Sequence, residues 1–331
     1  MIKVGCCGWG RINLDLNKVR YFASEVKGEA PRKTGRLSTL HTYAKYFDVV
    51  EVNSSFYSYH KPSTYEGWRR AVPSDFEFTV KCHKDVTHRF LLKPTAECLE
   101  SFNSTLDGAL ACKAKAILLQ TPASFRPSDE NFSRAEEFFR SIDRSIPIVW
   151  ETRGDQWLED KAIRRLRGLL ERYEITHVTD VLKVKPVYIS GLAYFRLHGL
   201  PGYNLKYSYR NEDLERLLKE CREVERELDG DVYLFFNNYA MYIDGVRFKL
   251  LLEKGEPPES PFGSRALRVA LNGLDCWPAS KSDLLARFGE WYVWIEPDRN
   301  VKLKAVLKDF SDKIYENLED LISEAEKVIG E

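Results

Sequence analysis

The stretch AYFRLHGLPGY (residues 193–203) begins with the apolar composition of a buried β-strand, yet Arg196 and His198 lie near its end. Strand residues alternate between two faces, so Tyr194 shares one face with both basic residues. A charge buried in a hydrophobic core without a partner is strongly destabilising. We therefore expect other strands to supply acidic partners for Arg196 and His198.

Eight apolar runs of this kind recur along the chain, with helical patterns between most of them. Strands that are apolar on both faces and alternate with helices are typical of a parallel sheet. Eight strands close a (β/α)8 TIM-type barrel, which fits the α/β pattern and a last run that ends at residue 237. A doubly wound open sheet is the alternative, but no G-x-G-x-x-G motif follows the first run. The predicted strands cover residues 2–8, 48–53, 76–81, 116–120, 146–151, 175–180, 193–198 and 232–237.

The barrel is expected to occupy residues 1–255, and the break EKGEPPESPFGS then leads into a C-terminal extension, residues 256–331. The extension contains two strand-like runs, RALRVAL and EWYVWIE, and an amphipathic pattern that predicts one long helix over about 300–329. The apolar stripe of that helix needs a cover. We expect it to pack on the barrel or to form a homodimer interface.

Composition limits the classes of partner. The chain has 50 Lys and Arg residues against 50 Asp and Glu, so net charge gives no support for binding nucleic acid or a membrane. It has no apolar run of the length that spans a bilayer and no signal-peptide pattern. Its seven cysteines form no C-x-x-C motif, which is typical of reduced thiols in the cytoplasm. Two methionines and 30% charged residues lean towards a thermophilic source.

Polar residues follow a pattern at the ends of the predicted strands, where the active site of a TIM barrel forms. Four strands end in a polar pair spaced i, i+2, so both members of each pair face the same way. We expect Arg196 and His198 to meet Glu51, Glu151 and Asp180 across this opening. The pairs are Glu51 with Asn53, Lys81 with His83, Glu151 with Arg153, and Arg196 with His198, and the other strand-end residues are Gln120, Asp180, Asn237 and Asn238.

Each of these residues has a structural and a catalytic interpretation. Glu51 and Glu151 are either general acid and base or partners of structural ion pairs. Lys81, Arg153 and Arg196 are either their counter-ions or ligands for an anionic substrate. The histidines favoured for proton transfer are His198 and His88.

Two further site hypotheses remain open. A zinc or manganese ion would be held by Glu51, Glu151, Asp180 and His198, although no close His spacing such as H-x-H supports a metal site. The aromatic residues Tyr57, Trp157 and Tyr203 either pack the loops onto the barrel or form a stacking surface for a sugar or base.

Six blocks in order carry a resemblance to a known family: FDVVEVNSSFY, VKCHKDVTH, ILLQTPASF, IVWETRGDQW, YFRLHG and VYLFFNN. Together they resemble the DUF72 family, which includes the YecE-like proteins, over roughly residues 2–252. The resemblance implies a TIM barrel and no assigned reaction. The segment NNYAMYIDGVRF departs from the family pattern, and the extension has no counterpart in it.

The leading hypothesis is an enzyme that hydrolyses a small anionic, phosphate-bearing or nucleotide-like substrate by acid–base chemistry. The alternatives are a protein that processes or binds nucleic acid on the same barrel, and a non-enzymatic binding or assembly protein. The hypothesis takes Glu51, Glu151, His198 and His88 as catalytic, and Asn53, Tyr57, Lys81, Gln120, Arg153, Trp157, Arg196, Asn237 and Asn238 as substrate-binding.

Overall fold

The structure, a computed structural model, divides into two compact units that interleave along the sequence. Both units contain residues before position 255, so the boundary expected between residues 255 and 256 stays a prediction. The structure describes residues 1–12, 15–23, 38–256 and 258–329. Of these, the first unit holds 1–10, 38–197 and 219–236, and the second holds 11–12, 15–23, 198–218, 237–256 and 258–329.

Eight parallel strands form a nearly closed barrel, which confirms the predicted α/β fold. They are β1 Ile2–Cys6, β2 Val49–Val52, β3 Glu77–Lys81, β4 Ile117–Gln120, β5 Ile148–Glu151, β6 Thr176–His177, β7 Leu192–Leu197 and β8 Asp231–Phe236. Their order in the sheet is β6-β5-β4-β3-β2-β1-β8-β7. Between β6 and β7, a single parallel bridge joins Thr179 to Phe195.

The predicted strand limits agree with the observed ones to within two residues, except in the sixth strand. The run 175–180 was expected to be extended throughout, but β6 ends at His177. Isolated pairing continues beyond β6, through the Val178 N–H to the Trp150 carbonyl and the Thr179–Phe195 bridge, until the Asp180 carbonyl accepts hydrogen bonds from the N–H groups of Lys183 and Val184. The chain therefore begins to turn at Asp180.

The interior of the barrel is a packed core rather than a pore. Every residue of β2, β4, β5 and β7 is buried. Alternate residues of the strands point inwards, which is the period-two pattern of a β-strand. The apolar residues that meet there include Val49, Leu118, Val149, Tyr194 and Phe235.

Twelve helices lie in the described part of the chain. Two of them, Ala96–Ala111 and Asp129–Ser141, follow residues whose hydroxyl oxygens accept a backbone N–H: Thr95 accepts from Cys98 (3.3 Å) and Ser128 accepts from Asn131 (3.2 Å). The helices are α1 Leu16–Phe22, α2 Ser38–Tyr43, α3 Pro62–Arg70, α4 Ala96–Ala111, α5 Asp129–Ser141, α6 Asp160–Tyr173, α7 Asn211–Glu227, α8 Met241–Lys254, α9 Arg265–Leu271, α10 Lys281–Phe288, α11 Leu303–Leu307 and α12 Leu318–Ile329.

The second unit has an apolar core of its own, built from α9 to α12 and short strands. Strand β10, Tyr292–Glu296, pairs antiparallel with β11, Arg299–Lys302. Strand β9, Ala279–Ser280, pairs antiparallel with β12, Ile314–Tyr315. The core buries most of the stripe that was expected to need a cover, namely Leu303, Leu307, Phe310, Leu321 and Ala325. Dimerisation through this stripe stays a prediction.

Two predictions for the extension are wrong. The run RALRVAL is helix α9, because Ala266, Leu267, Ala270 and Leu271 form one buried helical face instead of alternating. The single helix expected over 300–329 is interrupted between α11 and α12. The amide oxygen of Asn317 accepts the Asp320 N–H (3.0 Å), so a new helix starts there.

No helix in the described part of the chain is long and apolar enough to cross a membrane.

Candidate functional site

A fully buried ion pair lies near the carboxyl ends of the barrel strands. Arg196 on β7 donates to both carboxylate oxygens of Glu51 on β2, through Nε to Oε2 and through Nη2 to Oε1, each at 2.9 Å. This two-point geometry is the strong form of an ion pair. Burial alone lowers the pKa of Arg196, but Glu51, Cys7, Glu151 and Tyr194 outweigh it, so the net shift is upward and Arg196 stays charged.

Glu151, the last residue of β5, joins the same guanidinium group. Its Oε2 accepts from Arg196 Nη1 at 2.5 Å, and its Oε1 accepts from Arg153 Nε at 2.8 Å. The expectation that Arg196 meets Glu51 and Glu151 is therefore confirmed. Arg153 is the more exposed cation of this group, with 24% of its side chain accessible against 1% for Arg196.

Three neighbours of the buried pair were not among the predicted site residues. Tyr194 donates to Glu51 Oε2 (2.8 Å) and shares a second hydrogen bond with Thr79 Oγ1 (2.8 Å). Cys7 lies with its sulfur 3.6 Å from Arg196 Nη2. Burial and the Glu51 charge raise the pKa of the Cys7 thiol, so it is a neutral filler rather than a nucleophile. The available signal was the i−2 spacing of Tyr194 from Arg196 on the same strand face.

Lys81, the last residue of β3, has different partners. Its Nζ donates to the side-chain oxygen of Gln120 (3.0 Å) and lies 4.1 Å from the centroid of the Phe56 ring. Across the residues that the structure describes, no carboxylate oxygen lies within 4.0 Å of this ammonium group. Burial, followed by the positive charge of Arg196, lowers the pKa of Lys81 to about 8, although Glu51 and Glu151 act in the opposite direction.

A 3₁₀ turn at Ser54–Phe56 places the aromatic ring over Lys81. The Ser55 hydroxyl holds this turn against the strand ends, within hydrogen-bonding distance of the carbonyl oxygens of Val52 (2.7 Å) and Lys81 (2.6 Å). Tyr57 follows the turn, is exposed, and packs edge-on against Phe56 with ring centroids 4.9 Å apart.

His88 lies on a single π-helical turn, Asp85–Arg89, and is exposed. Its ring packs edge-on against Phe56 at 5.0 Å, and its Nδ1 shares a hydrogen bond with Thr87 Oγ1 at 2.9 Å. Desolvation, Lys81 and Arg153 all lower the pKa of His88. His88 therefore lies close to Phe56, Lys81 and Arg153, and its imidazole is neutral near pH 7.

His83, which follows β3 at the i+2 position from Lys81, is held in its loop instead. It is buried, stacks on Tyr59 with ring centroids 3.7 Å apart, and its Nδ1 accepts the Asp85 N–H at 3.2 Å. Burial lowers the pKa of His83, with Asp85 opposing. These contacts favour a loop-packing role.

Several other predicted site residues already have partners that favour a structural role. Trp157 is buried and donates its indole N–H to the Phe125 carbonyl (2.9 Å). Asp180 pairs with Lys183 at 2.6 Å. In the second unit, Asn238 donates to the Asp244 carboxylate (2.7 Å) and to a backbone carbonyl.

The other predicted residues are Asn53 in the first unit, and His198, Tyr203 and Asn237 in the second. The half-buried Asn53 follows β2, and its buried side-chain oxygen has no hydrogen-bond partner among the described residues. In the second unit, His198 is buried and stacks on Tyr203 with ring centroids 5.0 Å apart, and Asn237 is half-buried. Their part in a site stays a prediction.

The alternative metal site finds no support in the donor geometry. No group of three or more His, Cys, Asp or Glu side chains suited to a metal ion occurs within the described ranges. Glu51 and Glu151, two of the four proposed ligands, bind the Arg196 guanidinium instead. A cation at those carboxylates would have to displace Arg196.

Solved structures resemble this fold. A DUF72 family protein from Thermotoga maritima is 25% identical, with a TM-score of 0.59, over 76% of this chain and 99% of that one. A DUF72 family protein from Enterococcus faecalis is 20% identical, with a TM-score of 0.57, over 77% and 94% of the two chains.

Known protein sequences also match this chain. The UPF0759 protein YunF from Bacillus subtilis is 23% identical over 269 residues, which cover 72% of this chain and 89% of YunF. The UPF0759 protein YecE from Escherichia coli is 29% identical over a shorter stretch of 93 residues, 28% of this chain and 34% of YecE. The family model described as protein of unknown function DUF72 matches residues 3–253. The chain therefore belongs to the DUF72 family.

Proposed function

We propose that this chain is an enzyme that uses acid–base chemistry to hydrolyse a small anionic substrate at the carboxyl ends of the barrel strands. The observation that carries the proposal is Lys81, a buried ammonium group whose partners, Gln120 and Phe56, are both uncharged. A protonated lysine has three N–H donors, and a phosphate or carboxylate oxygen would complete their hydrogen bonding. Phosphate-bearing and nucleotide-like compounds are the specific substrates we propose.

The charges around Lys81 favour an anion. The cluster holds three cations, Lys81, Arg153 and Arg196, against two carboxylates, Glu51 and Glu151. One positive charge is left over when Lys81 is protonated. Arg196 is committed to both carboxylates, so Lys81 and the more accessible Arg153 are the proposed anion ligands.

We assign the proton transfers to Glu151 and His88. An anion that draws Arg153 away from Glu151 Oε1 would leave that oxygen available to accept or deliver a proton. The neutral imidazole of His88 is suited to act as the general base on water. Glu51, with both oxygens on Arg196, serves to position that guanidinium.

Two polar side chains complete the proposal. The side-chain oxygen of Asn53 would accept a hydrogen bond from the substrate, and Gln120 would orient Lys81. The exposed ring of Tyr57 lies beside Phe56 and would stack on a planar part of the substrate.

The test measures binding and turnover separately. Inorganic phosphate should raise the melting temperature of the wild type but not of Lys81→Met, and the exposed Lys115→Met serves as the matched control. Release of phosphate from p-nitrophenyl phosphate should fall by about 10²–10⁴ in Glu151→Gln and His88→Asn, since each change removes a proton-transfer group. The same release should be unchanged in Glu171→Gln, on the exposed face of α6. No thermal shift with phosphate and no turnover of any phosphate ester would refute the proposal.

A further inference from the structure

We propose that the Lys81 amine is also a nucleophile, which adds to the carbonyl carbon of a small anionic aldehyde or ketone and forms a protonated imine. The juxtaposition behind this is a buried primary amine held between the side-chain oxygen of Gln120 and the ring of Phe56, within the influence of the Arg196 charge. The inference uses the proposed anion site but goes beyond hydrolysis, because it adds a covalent step and a carbonyl substrate.

The surroundings of Lys81 favour the neutral amine that a nucleophile must be. A lysine becomes nucleophilic at neutral pH when it is desolvated or placed beside another cation, and Lys81 meets both conditions. Its nearest carboxylates, on Glu51 and Glu151, are both bound to Arg196. The pKa of about 8 agrees with this arrangement.

The two contacts also orient the amine. In the neutral form one N–H donates to the Gln120 oxygen and the other can face the ring of Phe56. Both hydrogens are then engaged, and the lone pair is directed away from these two contacts. The amine is thus held ready for attack rather than left to rotate, as it would be on an exposed lysine.

The chemistry balances without an added oxidant or reductant. The nitrogen lone pair forms a bond to the carbonyl carbon, the carbonyl π bond breaks, and a proton passes from nitrogen to oxygen to give a carbinolamine. Protonation of that hydroxyl group releases water as the nitrogen forms a double bond to carbon. Glu151 and His88 are the proposed donors and acceptors of these protons. The protonated imine carries the same single positive charge as the ammonium form of Lys81.

The charge of the cluster selects among carbonyl compounds. The imine nitrogen remains positive, and Arg153 lies on the accessible side of Glu151. A carboxylate or phosphate on the substrate would pair with Arg153 while its carbonyl reaches Lys81. A neutral aldehyde lacks this anchor and should react more slowly.

The test is reductive trapping on the full chain at pH 7.5, with glyoxylate as the anionic aldehyde and cyanoborohydride as the reductant. Peptide mass mapping should find a carboxymethyl group on Lys81 at about ten times or more the level on Lys115, which is 51% exposed. The neutral fraction of an amine with a pKa near 8 is roughly two hundred times that of one at 10.5, and lower intrinsic nucleophilicity offsets part of that gain. Lys81→Arg, which keeps the charge, should lose only the label at this position.

The outcomes separate this inference from the proposed function. Labelling of surface lysines alone, or equal labelling of Lys81 and Lys115, would overturn the inference, and a phosphate-induced thermal shift in that same protein would leave the hydrolase proposal standing. Selective labelling of Lys81 that inorganic phosphate suppresses would support both. Selective labelling of Lys81, with no suppression or thermal shift by phosphate and no turnover of a phosphate ester, would support the inference and count against the hydrolase.

Discussion

Replacing Lys81 by Met is the sharpest test of how this barrel tolerates its buried ammonium group. Methionine has a similar length and fills the same space without a charge. The pKa of Lys81 falls from 10.5 to about 8 on folding. Because one pKa unit corresponds to about 1.4 kcal/mol, the protonated form costs the folded state about 3 kcal/mol.

The sign of the pH dependence follows from linkage. Below about pH 8, Lys81 is protonated in the folded and unfolded chains alike, and the folded state bears the full cost. Between about pH 8 and 10.5 the folded protein releases this proton while the unfolded chain still holds it, so stability rises with pH. Above that range both states are neutral and the cost is gone. The variant lacks this rise.

The measurement compares urea unfolding of the wild type and Lys81→Met at several pH values from 7 to 10.5, with reductant present because the seven cysteines, all within the described residues, form no disulfide. Across this range, the free energy of unfolding of the wild type should rise by about 3 kcal/mol relative to that of the variant. Lys115→Met, which removes an exposed lysine, should run parallel to the wild type. Parallel curves for Lys81→Met as well would refute the reasoning, since they would show that the amine titrates alike in both states.

Three further predictions concern other buried charges. Arg196→Met should destabilise the fold by about 3–5 kcal/mol in chemical denaturation, because it leaves Glu51 buried without a cation and Glu151 with Arg153 alone. Adding Glu51→Gln should recover part of the loss, and full additivity of the two changes would contradict this. Burial lowers the pKa of His177 to about 4. The free energy of unfolding of the wild type should therefore fall by up to about 3 kcal/mol as the pH falls from 6.5 to 4, and that of His177→Gln should fall less. Burial raises the pKa of Asp244 to about 6. The wild type should therefore lose stability relative to Asp244→Asn as the pH rises from 3.8 to about 6. A difference in the free energy of unfolding that stays constant over this range would count against this.

The barrel was predictable because each strand is a short apolar run bounded by polar residues. Such a run must be buried on both faces, and eight of them alternating with helical patterns leave few parallel architectures. The extension was less predictable. RALRVAL is apolar enough for a strand, and only the neighbours that bury Leu267 and Leu271 decide that it is helix α9. The break before α12 depends on one capping residue, Asn317.

The members of the candidate site were predictable from spacing, but their pairing was not. The i, i+2 rule placed Glu51, Lys81, Glu151 and Arg196 on one interior face, and they do meet there. Which cation binds which carboxylate depends on the register between strands distant in sequence and on side-chain rotamers, and neither is visible in a single sequence. Asp180 illustrates this, because it follows the same pattern and pairs with the nearby Lys183.

The pairing also decides where reactivity can reside. The guanidinium of Arg196 donates to Glu51, Glu151 and Cys7. A substrate could bind Arg196 only by breaking these buried hydrogen bonds, whose loss costs several kcal/mol. Among the described residues, the contacts of Lys81 are with uncharged groups, Gln120 and Phe56, and its buried charge destabilises the fold. A bound anion that neutralises that charge would therefore stabilise the complex by relieving the cost. On this reasoning we propose Arg196 as the structural support of the site and Lys81 as its reactive group.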